Sequence, residues 1–174
     1  MKPNWYVITG SPSSGKTTII NSLSKLGYHT VPEVARTLID EEMIKGKKIE
    51  EIRRDEIEFQ RKVLEVKLRI EKELPKNKIV FFDRAVPDSI AYLSLYGSNI
   101  EELLKYCKEK VYNKVFLLEK LPFQRDYARN EDEETAEKLH ILLRKAYSDL
   151  GYEIIDLPVM SVEDRLKMIL SKID

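Results

Sequence analysis

The stretch that most constrains this chain is Gly10–Thr17, GSPSSGKT, set between the apolar run WYVITG from Trp5 and a helical pattern from Gly15 to Leu26. The spacing G-x-x-x-x-G-K-[ST], placed between a strand and a helix, is that of a backbone loop that wraps phosphates. Gly10 and Gly15 let the main chain come close, and the helix N-terminus adds its positive end. Lys16 is expected to neutralise β and γ oxygens, and the Thr17 hydroxyl to reach Mg²⁺. The expected nucleotide-binding set is Gly10, Ser11, Pro12, Ser13, Ser14, Gly15, Lys16, Thr17 and Thr18. The alternative, a Gly/Ser turn carrying an exposed lysine, explains neither the four fixed positions nor their placement. The loop defines a P-loop nucleoside triphosphatase or kinase without saying which.

The rest of the chain fits that beginning. Further short apolar runs, YHTVP from Tyr28, KIVFFD from Lys78, NKVFLLE from Asn113 and YEIIDL from Tyr152, read as buried strands separated by helical patterns. Ile52, Phe59, Val63, Val66, Ile70 and Leu74 form a stripe on one long charged helix. NIEELLKYCKEK from Asn99 is expected to open with a Ser98–Glu101 capping box, and Ser161 with Asp164 to cap a last helix bearing Val162, Leu166, Ile169 and Ile173. Such alternation predicts an α/β fold, a parallel sheet with helices on both faces and ligands at the carboxyl ends of the strands. With 174 residues, 43% of them apolar, and no linker or repeat, one domain over 1–174 is expected.

Charge and cysteine content narrow the class. Thirty basic residues balance thirty acidic ones, so no global basic field announces a long nucleic acid. The single Cys107 cannot form an internal disulfide, and the apolar run at the N-terminus is too short for a signal peptide or membrane span, so a cytoplasmic location is expected.

Three sets of polar residues follow the strands where the second half of a phosphate-transfer site belongs. Glu33 and Arg36, in VPEVAR, offer a carboxylate to accept a hydroxyl proton and an arginine for an anionic group of a substrate; the plainer reading pairs them on a helix surface. Asp83 and Arg84, ending KIVFFD, place an acid on the Mg²⁺ side opposite Thr17 and a planar guanidinium in the cleft. Pro87 opens the next helix, and Asp88 reads as a helix-start acid. Arg125 and Arg129, in a lid-like segment at about 121–135, are placed to offset charge on a transferring phosphoryl group. His29 and His140 lack partners at metal-ligand spacing, and Cys107, Tyr92 and Tyr96 read as packing residues.

The ordered motifs ITGSPSSGKTT, VPEVARTLID, FFDRAVPDSIAYL, VFLLEKLPFQRDYARNEDEETA and YSDLGYEIIDLPVMSVEDR resemble a small P-loop family labelled an AAA-type ATPase/kinase domain, related to ribosylnicotinamide-kinase-like proteins. The resemblance covers nearly the whole chain and implies a three-layer α/β/α fold with five parallel strands ordered 2-3-1-4-5. A more distant likeness to deoxynucleoside kinases implies Glu33 as general base, Asp83–Arg84 as the acid–arginine pair and Arg125 and Arg129 as lid residues. Those enzymes have Glu-Arg-Ser where this chain has Asp83-Arg84-Ala85.

Together these readings predict a kinase moving the γ-phosphate of ATP, or of GTP, to a small hydroxyl-bearing, nucleoside-like acceptor. Glu33 or Asp83 takes the acceptor proton, and Arg36 and Arg84 position the acceptor. Absence of the guanine-reading [NT]KxD pattern favours ATP. The alternatives are a nucleotide-dependent switch or NTPase acting on a protein or lipid partner, and a kinase for nucleic-acid 5′ ends.

Overall fold

Alternating side chains on the central strands face two separate helical layers, which is why these strands read as unbroken apolar runs. A computed structural model describes residues 2–109, 111–121 and 132–173. Strands β1 (Trp5–Thr9), β2 (His29–Val31), β3 (Val80–Asp83), β4 (Lys114–Leu118) and β5 (Ile154–Leu157) form one parallel sheet in the order β2-β3-β1-β4-β5. The 2-3-1-4-5 order is the expected one. Trp5 and Val7 of β1 pack with Phe82, Val115, Tyr112 and Tyr147 on one face. Tyr6 and Ile8 pack with Phe81, Phe116 and the other layer, Ile19, Ile20, Leu23 and Ile169.

Eight helices are seen among the described residues: α1 (Lys16–Lys25), α2 (Val34–Ile44), α3 (Ile49–Ile52), α4 (Glu56–Glu73), α5 (Asp88–Leu95), α6 (Glu101–Tyr106), α7 (Glu133–Asp149) and α8 (Val162–Leu170). The apolar stripe expected on one helix is divided. Ile52 ends α3, and Asp55 begins α4 anew by accepting the Glu58 N–H at 2.9 Å. An aspartate able to satisfy a helix's orphan donors starts a new helix more readily than it continues an old one.

The Ser98–Glu101 capping box is not formed. The Glu101 N–H donates to Asn99 Oδ1 at 2.8 Å, while Ser98 Oγ accepts from Arg61 Nη2 at 3.3 Å. The asparagine hydroxyl-free amide thus takes the donor expected for the serine, whose oxygen serves another helix. Ser161 does cap α8, accepting the Asp164 N–H at 3.1 Å, although Ile173 lies past the helix end.

Parallel registry positions the site. Ile8 lies opposite both Asp83 and Phe116, so the Gly10 loop leaves the sheet directly beside the ends of β3 and β4. No helix among the described residues is long and apolar enough to cross a membrane.

Phe81 is fully buried, with the rings of Tyr6 and Tyr28 at 5.4 and 5.3 Å. Phe81→Ala is expected to lower the unfolding free energy by roughly 3–5 kcal/mol, read from the urea midpoint with an unchanged slope.

Candidate functional site

The loop after β1 needs backbone geometry that side chains resist. Gly10 and Gly15 have φ of 148° and 86°, and Ser13 joins them at 62°. A Cβ on Gly10 would stand 2.7 Å from the Leu118 carbonyl oxygen and 2.8 Å from Ser14 Oγ, so glycine is required there by space as well as conformation. Lys16 is buried at 2% exposure, and its ammonium donates to Ser11 O at 2.8 Å and Ser14 Oγ at 3.0 Å. The buried Ser11 hydroxyl oxygen has no hydrogen-bond partner among the described residues. Thr17 and Thr18 stand exposed on the first turn of α1.

Across the loop, the Thr17 hydroxyl donates to Asp83 Oδ2 at 3.2 Å. The other Asp83 oxygen, Oδ1, is buried without a hydrogen-bond partner among the described residues. Hard oxygen donors in this arrangement, one hydroxyl and one carboxylate, fit Mg²⁺, which commonly takes few protein ligands and completes its shell with phosphate and water. No group of three or more His, Cys, Asp and Glu able to hold a metal occurs among the described residues. Burial and then the neighbouring Glu33 push the Asp83 carboxyl up to about 6, opposed by Lys16, Arg84 and the Thr17 hydrogen bond.

Arg84 is the centre of the other half. It has the left-handed φ of 64°, unusual for a side chain of this size, while its N–H continues the sheet pairing to Ile8 O at 3.1 Å. Its Nε lies 3.6 Å from Glu33 Oε1 and its Nη1 3.4 Å from Asp88 Oδ1. The guanidinium carbon sits over the Tyr92 ring, 5.2 Å from the centroid. Burial opposes this charge, but Tyr92, Glu33, Asp88 and Asp83 outweigh it and hold the guanidinium above its ordinary pKa.

Asp88 is therefore more than a helix-start acid. It is fully buried and accepts from Thr9 Oγ1 at 2.5 Å, the Ala85 N–H at 2.9 Å, Arg84 Nη1 and the Tyr147 hydroxyl. Tyr92 packs with Ala91, Leu139 and Leu143 as expected, and in addition it supports Arg84 and lines the pocket described next.

A pocket opens between the loop, α2 and α4. Pro12 forms one wall, and Glu33, Arg36, Arg53, Lys67 and Arg84 supply its charged groups. Val34, Ile39, Phe59, Val63 and Tyr92 make it largely apolar, and Gln60 adds an amide. Glu33 is the N-cap residue of α2, but its side chain makes no capping bond and pairs with Arg84 instead. Lys67 and Gln60 are both nine-tenths buried or more, and sequence reading missed them. Lys67 donates to Ala85 O at 3.0 Å and Ser89 Oγ at 3.3 Å, and burial lowers its pKa. The signal was present: Gln60, Lys67 and Glu71 recur at 7 and 4 residues on the flank of the Phe59–Val63–Ile70 stripe. Arg125 and Arg129 lie outside the described residues, as does most of the lid-like segment.

A Gly10–Thr17 loop on an αβα sheet, with the Asp83–Arg84 pair beside it, defines the P-loop fold. Residues 5–165 match the family described as AAA domain, and the chain belongs to that family. Solved structures with the same fold include deoxyadenosine kinase from M. mycoides with products dCMP and a flexible dCDP bound (TM-score 0.67, 18% identity, 97% of each chain covered). The NadR protein in complex with NR matches with TM-score 0.73 and 16% identity, over 98% of this chain and 50% of that one. Shikimate kinase from Aquifex aeolicus matches with TM-score 0.59 and 21% identity, over 96% and 94% of the two chains. No curated protein matches in sequence.

The raised Asp83 pKa has a consequence for stability. Between about pH 4 and 6 the folded protein holds a proton on Asp83 that the unfolded chain has released, so stability falls as pH rises through this window. In EDTA, urea unfolding of wild type measured against Asp83→Asn should show this loss, on the order of 2–3 kcal/mol, complete above about pH 7.

Proposed function

We propose that the protein is a kinase that transfers the γ-phosphoryl group of ATP to a hydroxyl of a small, nucleoside-like acceptor. The observation that carries this reading is the pocket whose wall is shared by Pro12 of the phosphate loop and by Glu33 and Arg84. A hydrolase has no need of a partly open pocket with apolar walls beside its phosphate loop; a kinase must hold an acceptor there and keep water out. The fold likeness to deoxyadenosine kinase and shikimate kinase supports the same class.

In this reading the loop amides and Lys16 hold the triphosphate, and Thr17 and Asp83 would hold Mg²⁺. The ion, when bound, neutralises charge on the β and γ oxygens. Glu33 takes the acceptor's hydroxyl proton while the acceptor oxygen bonds to the γ-phosphorus and ADP leaves. Glu33 suits this role better than Asp83, because it faces the pocket while Asp83 is engaged by Thr17. Arg84 and Arg36 orient the acceptor, Phe59, Val63 and Tyr92 provide flat apolar walls, and Gln60 offers an amide donor and acceptor to a ring edge. Arg125 and Arg129 would offset charge developing on the transferred group.

Labelled ATP incubated with the protein and a pooled panel of nucleosides, nucleotides and small hydroxy acids should yield one labelled acceptor. Nucleotide-dependent capture of a protein or lipid with no labelled product would instead favour a switch. With the acceptor found, Glu33→Gln should reduce kcat by on the order of 10²–10⁴ while the KM for ATP stays within a few-fold. Lys16→Ala should abolish measurable transfer and weaken ATP binding; unchanged affinity in calorimetry would remove the loop from nucleotide binding.

A further inference from the structure

We infer that Arg165, on the last helix, is a positioning residue for the nucleotide: it sets the direction of the loop amides from behind the loop. This rests on the reading of Gly10–Thr17 as the phosphate site and extends it to a residue 151 positions away from its contact. Arg165 is buried at 3% exposure, yet its partners among the described residues are carbonyl oxygens alone. Its Nη1 donates to Ser14 O at 2.6 Å, its Nε to Pro158 O at 3.0 Å and its Nη2 to Glu119 O at 3.2 Å. One planar fork thus joins the phosphate loop, the segment after β4 and the turn before α8.

The geometry of the peptide unit converts this contact into a function. In a trans peptide the C=O and the N–H of the next residue point in opposite directions. Holding the Ser14 carbonyl on the Arg165 side therefore turns the Gly15 N–H towards the opposite side, the inside of the loop. A second contact acts alike, since the Leu121 N–H holds the Ser13 carbonyl at 3.2 Å and so directs the Ser14 N–H. Neither the Ser14 nor the Gly15 N–H has a hydrogen-bond acceptor among the described residues. Two successive donors aimed inward and left for a ligand form an anion nest.

Arg165 also places a charge. It has no carboxylate within ion-pair distance among the described residues, and although Glu119 acts on it from farther off, its positive charge contributes to the field at the phosphates. Its closeness explains Gly15 a second way: a Cβ there would meet Arg165 Nη1 at 3.2 Å. Lysine cannot reproduce three directed bonds from one planar head.

Calorimetric titration of the full chain with Mg·ADP tests the assignment, alongside melting curves of the ligand-free proteins. Arg165→Met and Arg165→Lys are expected to bind ADP roughly tenfold or more weakly, the scale of one lost charge-assisted hydrogen bond. Millimolar guanidinium or ethylguanidinium should restore part of the ADP affinity to Arg165→Ala, an effect that a general loss of packing would not give. Folded variants that bind ADP within twofold of wild type, or lower melting points with unchanged ADP affinity, would overturn the inference. A wild type that does not bind ADP would overturn the nucleotide reading itself, a result distinct from equal binding by all forms.

Discussion

The half of the site around Arg84 depends on one buried carboxylate. Asp88 gathers donors from Thr9 at the end of β1, from Ala85 and Arg84 in the turn after β3, and from Tyr147 on α7. A carboxylate without these donors would be too costly to bury, and the donors without it would be left unsatisfied in the interior. The group is therefore stable only as a whole, and its geometry links the start of the phosphate loop to the arginine that faces the pocket. Through Tyr147 it also includes the helix that follows the lid-like segment, and α5 and α7 share the apolar contact of Ala91 and Tyr92 with Leu139 and Leu143.

That network accounts for a backbone conformation which would otherwise be unfavourable. A non-glycine residue at φ 64° costs on the order of 1–2 kcal/mol, and Arg84 remains there because the turn is held on every side. Lys67 holds the Ala85 carbonyl, Asp88 the Ala85 N–H, and the Tyr112 hydroxyl accepts the Val86 N–H at 3.3 Å while donating to Glu71. Lys67 and Glu71 belong to the same helix face, so α4 fixes the turn at two points and also walls the pocket. The strain has a use: the left-handed turn ends β3 abruptly and directs Arg84 between Glu33 and Tyr92.

How much of this was legible in the sequence follows from how local each feature is. Gly10–Thr17 and Asp83–Arg84 could be read because each lies at the end of an apolar run, and strand order follows from the family resemblance. Glu33 was legible as a candidate, but not its pairing with Arg84, because a contact between the ends of β2 and β3 depends on their adjacency in the sheet. Asp88 was read as a cap since the helix start is local, whereas two of its four donors, Thr9 and Tyr147, come from distant elements of the fold. Lys67 and Arg165 were hidden among many exposed lysines and arginines. A buried base and a solvated one have the same letter, and only packing tells them apart.

The innermost charges of the site come close to balance, while Arg36 and Arg53 add two further cations at the pocket wall. Lys16, Lys67 and Arg84 are set against Glu33, Asp83 and Asp88, and each buried group among them feels several of the others. Such a balanced set can be buried without large cost, which a one-sign cluster could not. Balance also has a chemical consequence under the proposed reading. A triphosphate adds several negative charges, and Lys16 must exchange its bonds to Ser11 and Ser14 for phosphate oxygens to meet them. The three acids already occupy much of the remaining cationic field, so nucleotide binding draws on charge from elsewhere: the metal ion that accompanies the phosphates, the helix N-terminus and Arg165 behind the loop. Glu33 is then free to act on the acceptor side, where a hydroxyl proton must be received, while Lys16 and Asp83 serve the phosphate side. The division of labour between the two halves of the cleft comes from where the charges are placed, not from how many there are.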